Sequence, residues 1–161
     1  MAEKTSDIQI GLDDQARNAS IEILNTLLAD EVLLYIKTRN FHWNVEGPSF
    51  SEHHKFFESQ YEALDDILDE VAERARSLGG RAVGSMTEYL KLTRLKEARA
   101  EIHASRDTLQ LLLNDHQALV RQIREDIDAV GKAGDVGTED FLTGVLESHE
   151  KMAWMLRSYL R

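Results

Sequence analysis

The stretch between Gly47-Pro48 and Gly79-Gly80 carries His53, His54, Glu58, Glu62, Asp65, Asp66, Asp69, Glu70 and Glu73, a density of imidazole and carboxylate groups suited to holding a cation. Most acids on so charged a segment would simply face water. Spacing singles out part of the series. His54 and Glu58 are four residues apart, as are Asp69 and Glu73, so on a helix each pair can aim at one ion. At about 100° per residue, Glu58 and Asp69 fall about 20° apart on one helix face. At about 1.5 Å per residue, however, the two pairs stand roughly 16 Å apart along the axis, far beyond a coordination sphere whose bonds are about 2 Å. A single copy of the helix cannot close such a site. Two antiparallel copies about a two-fold axis can, because Glu58 and Asp69, like His54 and Glu73, are centred on the Ala63–Leu64 peptide bond. Glu58 then lies opposite Asp69 of the partner subunit and His54 opposite the partner's Glu73, giving two equivalent sites.

His42 completes the set. Alone it reads as a structural histidine, but it precedes the Gly47-Pro48 turn by about as much as His54 follows it, so a hairpin brings the two to similar height. Two imidazoles with carboxylates suit iron, manganese or zinc, and partial carboxylate ligation with open positions suits a redox-active iron. The absence of cysteine excludes disulfides, thiolate nucleophiles, iron–sulfur clusters and cysteine-bound zinc. No Glu-x-x-His occurs anywhere, which speaks against a di-iron centre inside one subunit's bundle. No phosphate loop, serine elbow or Cys–His pair offers another chemistry.

The elements that must position these groups are helices. Apolar residues recur at helical spacing from Asn18 or Ser20 to about Val45 (Ile21, Leu24, Leu27, Leu28, Leu34, Tyr35), predicting a first helix that stops at Gly47-Pro48. Ser49 or Ser51 then offers an N-cap for a second, ending at Leu78 before Gly79-Gly80. So short a connection makes an antiparallel hairpin. Residues 81–104 read as a long crossover with a small helix from Met86 to Leu95 and a charged run, Lys96-Glu97-Ala98-Arg99. A third long helix is predicted from about Ser105 to Val130, ended by GKAGDVG, and a fourth from Thr138 to the C-terminus. The fold class is therefore all-α: a ferritin-like four-helix bundle with one long crossover containing a short helix, one domain over residues 1–161 with an extension at 1–15.

With 161 residues the chain has one domain's worth of core. Its net charge of −10 opposes nonspecific nucleic-acid binding and favours cations. Neither a secretory leader nor a membrane-spanning apolar run is evident, so a cytoplasmic protein is expected, with nucleoid association left open.

The segment NFHWNVEGPSFSEHHKFFESQYEALDDILDEVAER resembles the Dps miniferritins, the DNA-binding proteins from starved cells. The likeness rests on His-Trp-Asn-Val before Gly-Pro, a second histidine twelve residues after the first, an acid four later, and Asp-x-x-x-Glu eleven beyond that acid. It implies a hollow homododecamer with ferroxidase centres at two-fold interfaces. His42, His54 and Glu58 would come from one subunit and Asp69 and Glu73 from its neighbour. The family binds Fe²⁺, oxidises it preferentially with hydrogen peroxide and stores ferric mineral, limiting oxidative damage; zinc or manganese could occupy the same site. Trp43 matches a tryptophan near the centre that takes up oxidising equivalents, though it can equally anchor the hairpin core. Acid-lined three-fold pores make Asp135, Asp140 and Glu147 candidates for iron entry, and each can also be a cap or surface acid. His103, His116 and His149 match no ligand and read as surface or structural.

DNA-binding members commonly carry a lysine-rich tail, whereas residues 1–12 here hold Lys4 against Glu3 and Asp7. Twelve subunits at −10 give about −120, so weak or no DNA binding is expected. Two other readings compete with an iron-oxidising cage: a nucleoid-protecting DNA binder with structural metal, and a helical interaction protein whose acids only face solvent.

Overall fold

In the computed structural model, which describes residues 8–98 and 104–161, the chain forms α1 (Asp14–Asn44), α2 (Phe50–Ser77), α3 (Met86–Leu92), α4 (Ser105–Lys132) and α5 (Val136–Leu160). α1 packs on α2 and α4 on α5, and the crossover carries α3 along α1. Leu24, Leu27, Leu34 and Phe41 of α1 meet Phe57 and Leu64 of α2, Leu112, Leu119 and Ile123 of α4, and Leu142 and Leu156 of α5 in one buried core. The helical spacing of those residues is what the sequence displays. Among the described residues the sole β-type pairing is a parallel bridge between Glu46 and Ala104.

Several boundaries differ from the expected ones, each for a local reason. α1 begins at Asp14 rather than Asn18, because the Asp13 carboxylate accepts from the Ala16 N–H at 2.7 Å and caps it. Buried Arg17 then donates to the Leu78 carbonyl at 2.9 Å, clasping the far end of α2. Ser49 does precede α2, but in the left-handed region (φ 62°) and without a side-chain cap bond. α3 stops at Leu92 rather than Leu95 because buried Asp30 gathers the Thr93 hydroxyl, the Arg94 N–H and the Arg94 Nε, drawing the chain out of the helix. Arg94 reaches on to Asp126 at 2.9 Å, so this crossover residue links α1 to α4. α4 runs through Gly131 to Lys132, and α5 starts at Val136 under the Asp135 cap rather than at Thr138.

Glycine is required at the end of the α1–α2 hairpin. Gly79 takes φ +87° to end α2, and a Cβ on Gly80 would come within 2.5 Å of the Ile21 side chain. The crossover can leave against α1 only where no side chain intervenes. Among the described residues no helix is long and apolar enough to cross a membrane.

Candidate metal centre

His42 sits in the last turn of α1 and His54 near the start of α2, and the turn between them lays their rings face to face, 3.8 Å between centroids and 20° between planes. Each ring is fixed by the other's main chain: His42 Nδ1 donates to the His54 carbonyl at 2.7 Å, and His54 Nδ1 to the His42 carbonyl at 2.8 Å. Carbonyl oxygens only accept, so both Nδ1 atoms carry the hydrogen, and a neutral ring then presents its bare Nε2 as a ligand. The His42 carbonyl lies where a helix leaves its last acceptors without intrahelical donors, so His54 also finishes α1. Such carbonyl-held imidazoles are the usual support behind a histidine ligand.

Glu58, one turn beyond His54, is tied to the same cluster by Tyr61. The Tyr61 hydroxyl donates to Glu58 Oε1 at 3.4 Å, and its ring stands edge-on to His42 at 5.2 Å. Desolvation first, and then the Glu58 charge, raise the Tyr61 pKa, so its phenol stays a donor. The Arg39 guanidinium lies over Tyr61 at 4.6 Å and faces Trp43 at 5.3 Å and Tyr35 at 5.5 Å. Phe50 closes the outer side of His54 at 5.2 Å.

Asp69 and Glu73 are exposed on α2, and neither carboxylate has a side-chain partner among the described residues. No three His, Cys, Asp or Glu side chains among those residues close on a common point within one chain. A single chain thus offers two halves: an ordered His42–His54–Glu58 group, and two free acids further along the same helix.

Comparison with known proteins shows the family. A ferritin-like domain model matches residues 21–161. The chain is 44% identical over 154 residues to an uncharacterized low temperature-induced protein of Nostoc sp., covering 95% of this chain and 86% of that one. It is 35% identical over 140 residues to the DNA protection during starvation protein 2 of Bacillus anthracis, with 87% and 95% covered. The Dps protein of Vibrio cholerae, described as a member of a broad superfamily of ferritin-like diiron-carboxylate proteins, superposes with a TM-score of 0.91 at 34% identity over 96% of each chain. This chain belongs to the Dps miniferritin family.

Within that Dps fold the other expected residues fall variously. Trp43 is 62% exposed, so it is not an anchor of the hairpin core; it projects beside His42 against Arg39. Asp140 and Glu147 lie exposed on α5. Asp135 does not: it is 1% exposed, caps α5 through the Thr138 N–H at 3.0 Å and Oγ1 at 2.6 Å, and pairs with Arg74 at 3.2 Å. Within one chain this acid is already committed and does not line a surface. His116 and His149 are wholly buried and bonded to each other, so neither is a surface residue. His103, Lys4, Glu3, Asp7 and Arg99 lie outside the described residues. Tyr61 and Arg39 are the two members of the cluster that ligand spacing missed; Tyr61 stands three residues after Glu58, on the same helical face, which was the available signal.

Proposed function

We propose that the protein oxidises ferrous iron with hydrogen peroxide at sites shared between two subunits, and stores the ferric product inside a homododecameric cage. The observation that carries this reading is the reciprocal lock of His42 and His54, which turns both Nε2 atoms outward as neutral ligands beside Glu58. The two-fold register about Ala63–Leu64 supplies the missing half, with Asp69 and Glu73 of the partner subunit completing the ligand set. Two imidazoles and up to three carboxylates suit Fe²⁺ as substrate and favour the ferric product, because hard anionic oxygen ligands stabilise the higher charge. Zinc or manganese can compete for the same donors.

Two ferrous ions give one electron each to a hydrogen peroxide, whose O–O bond breaks to leave two hydroxides, and the ferric product hydrolyses with release of protons and is stored as mineral. The chain's own contribution is to hold the donors still, tie Glu58 to the cluster through Tyr61, and keep an oxidisable indole, Trp43, beside His42. Asp140 and Glu147, the exposed members of the pore set, are the candidates for guiding Fe²⁺ inward. A cytoplasmic location fits this use of iron and peroxide.

The test is the double variant His42→Ala with Asp69→Ala, assayed for peroxide-driven Fe²⁺ oxidation after the assembly has been checked by ultracentrifugation. Loss of the fast phase in an intact cage is expected. An unchanged rate removes the proposed site.

A further inference from the structure

Away from the metal-ligand cluster, the bundle interior holds a second polar chain. Glu31 on α1, His116 on α4 and His149 on α5 are each completely buried. His149 Nε2 lies 2.8 Å from Glu31 Oε1, and His149 Nδ1 lies 2.9 Å from His116 Nδ1. Beyond these contacts, Glu31 Oε2 and His116 Nε2 are buried without a partner. This is a chain and not a chelate, because His149 reaches its two neighbours from opposite sides of its ring, and one ion cannot collect all three groups.

Each contact needs one hydrogen, since a carboxylate oxygen and a bare ring nitrogen, or two bare nitrogens, have nothing to share. With only those two hydrogens, Glu31 is a buried anion with no cation bonded to it, which is costly. The neighbouring charges are engaged elsewhere. Asp30, beside Glu31, is paired with Arg94, which also holds Asp126; Lys37 is paired with Asp115, beside His116. α2 buries a single titratable group, His53, among Phe57 and Tyr159, and the cap of α5 is the buried Asp135, which is held by Arg74. A third proton neutralises the carboxylate, and the chain has an unoccupied nitrogen at its far end to receive it.

We infer that Glu31, His149 and His116 form a proton relay, in which a proton arriving at His116 Nε2 is delivered to the Glu31 carboxylate through both hydrogen bonds. As the N–H bond forms at His116 Nε2, the hydrogen on His116 Nδ1 passes to His149 Nδ1. The hydrogen on His149 Nε2 then passes to Glu31 Oε1. Both rings end neutral with exchanged tautomers, and the proton's charge cancels that of the carboxylate; release reverses each step. Burial and the adjacent His149 hold His116 well below the usual histidine range, so it hands a proton on instead of keeping it. Three linked groups of this kind titrate as a unit.

The test uses the full-length assembly, labelled with ¹⁵N and ¹³C, sedimented and followed by solid-state NMR across the pH range in which it stays folded. The relay predicts that protonation of the Glu31 carboxylate, read from its carboxyl-carbon shift, coincides, at one midpoint, with exchange of the protonated and bare nitrogen signals in both rings. Glu31→Gln, which has no acid proton to gain, should hold both histidines in one tautomer throughout. Histidines that keep a single tautomer in the wild type, that titrate at separate midpoints, or that become imidazolium while Glu31 stays ionised would each overturn the relay. The wild-type measurement decides the matter even where the variant fails to fold.

Discussion

Two imidazoles stack at 3.8 Å, each giving its Nδ1 hydrogen to the other's main chain. The candidate ligands at this turn stood out in sequence, because histidine and acid recur there at four-residue spacing. Their orientation did not, because it depends on two carbonyls from opposite sides of a turn. Tyr61 likewise acquires its position only when α2 is laid against α1. It is a positioning residue that joins Glu58 to the face of His42. Tyr61→Phe keeps the ring and removes one hydrogen bond, of about 1 kcal/mol. Iron oxidation is expected to slow about fivefold in stopped-flow measurements, with the KM for Fe²⁺ raised more than kcat is lowered. An unchanged KM would show that the phenol does not orient Glu58.

The helices themselves were largely readable, because uninterrupted apolar periodicity and two glycine-bearing turns leave few alternatives for the α1–α2 and α4–α5 hairpins. What escaped the sequence were the places where one side chain from a distant element decides a boundary. Asp30 ends α3 from sixty-odd residues away, and Asp135 both starts α5 and receives Arg74 from α2. Asp135 therefore makes an element-scale prediction. Burial alone would raise its pKa, but Thr138, Ser20 and Arg74 outweigh burial and lower it below the ordinary value of 3.8. A carboxyl depressed in the folded state stabilises above its unfolded pKa, and that contribution disappears as pH falls through the folded value. Asp135→Ala should cost about 1–2 kcal/mol at neutral pH and lower the thermal midpoint by a few degrees, with the gap to wild type narrowing as pH falls from the ordinary value of 3.8 through the depressed folded one. A gap that stays constant as the pH is lowered to the acid-unfolding limit would show that the cap's charge contributes nothing.

For the whole molecule, net charge and symmetry have separate consequences. In the proposed two-fold register, which would pair Glu58 with Asp69 of the partner subunit, Glu62 would also meet the partner's Asp65, adding acids to an interface of a chain at −10. Divalent cations should therefore favour the two-fold interface, and a cage of such charge should not retard DNA in a gel-shift at about 50 mM salt without added Mg²⁺. Stoichiometric retardation under those conditions would instead reveal a basic patch strong enough to override the total. The central claim, that each iron site draws on two chains, is tested most directly by mixing. His54→Ala and Asp69→Ala subunits, each inactive as a homomer, are co-assembled and assayed for peroxide-driven Fe²⁺ oxidation. Random mixing makes half the interfaces mixed, and a mixed interface carries one intact and one doubly defective site, so about a quarter of wild-type activity should return. Mixed cages as inactive as their parents would contradict ligands shared across the two-fold axis.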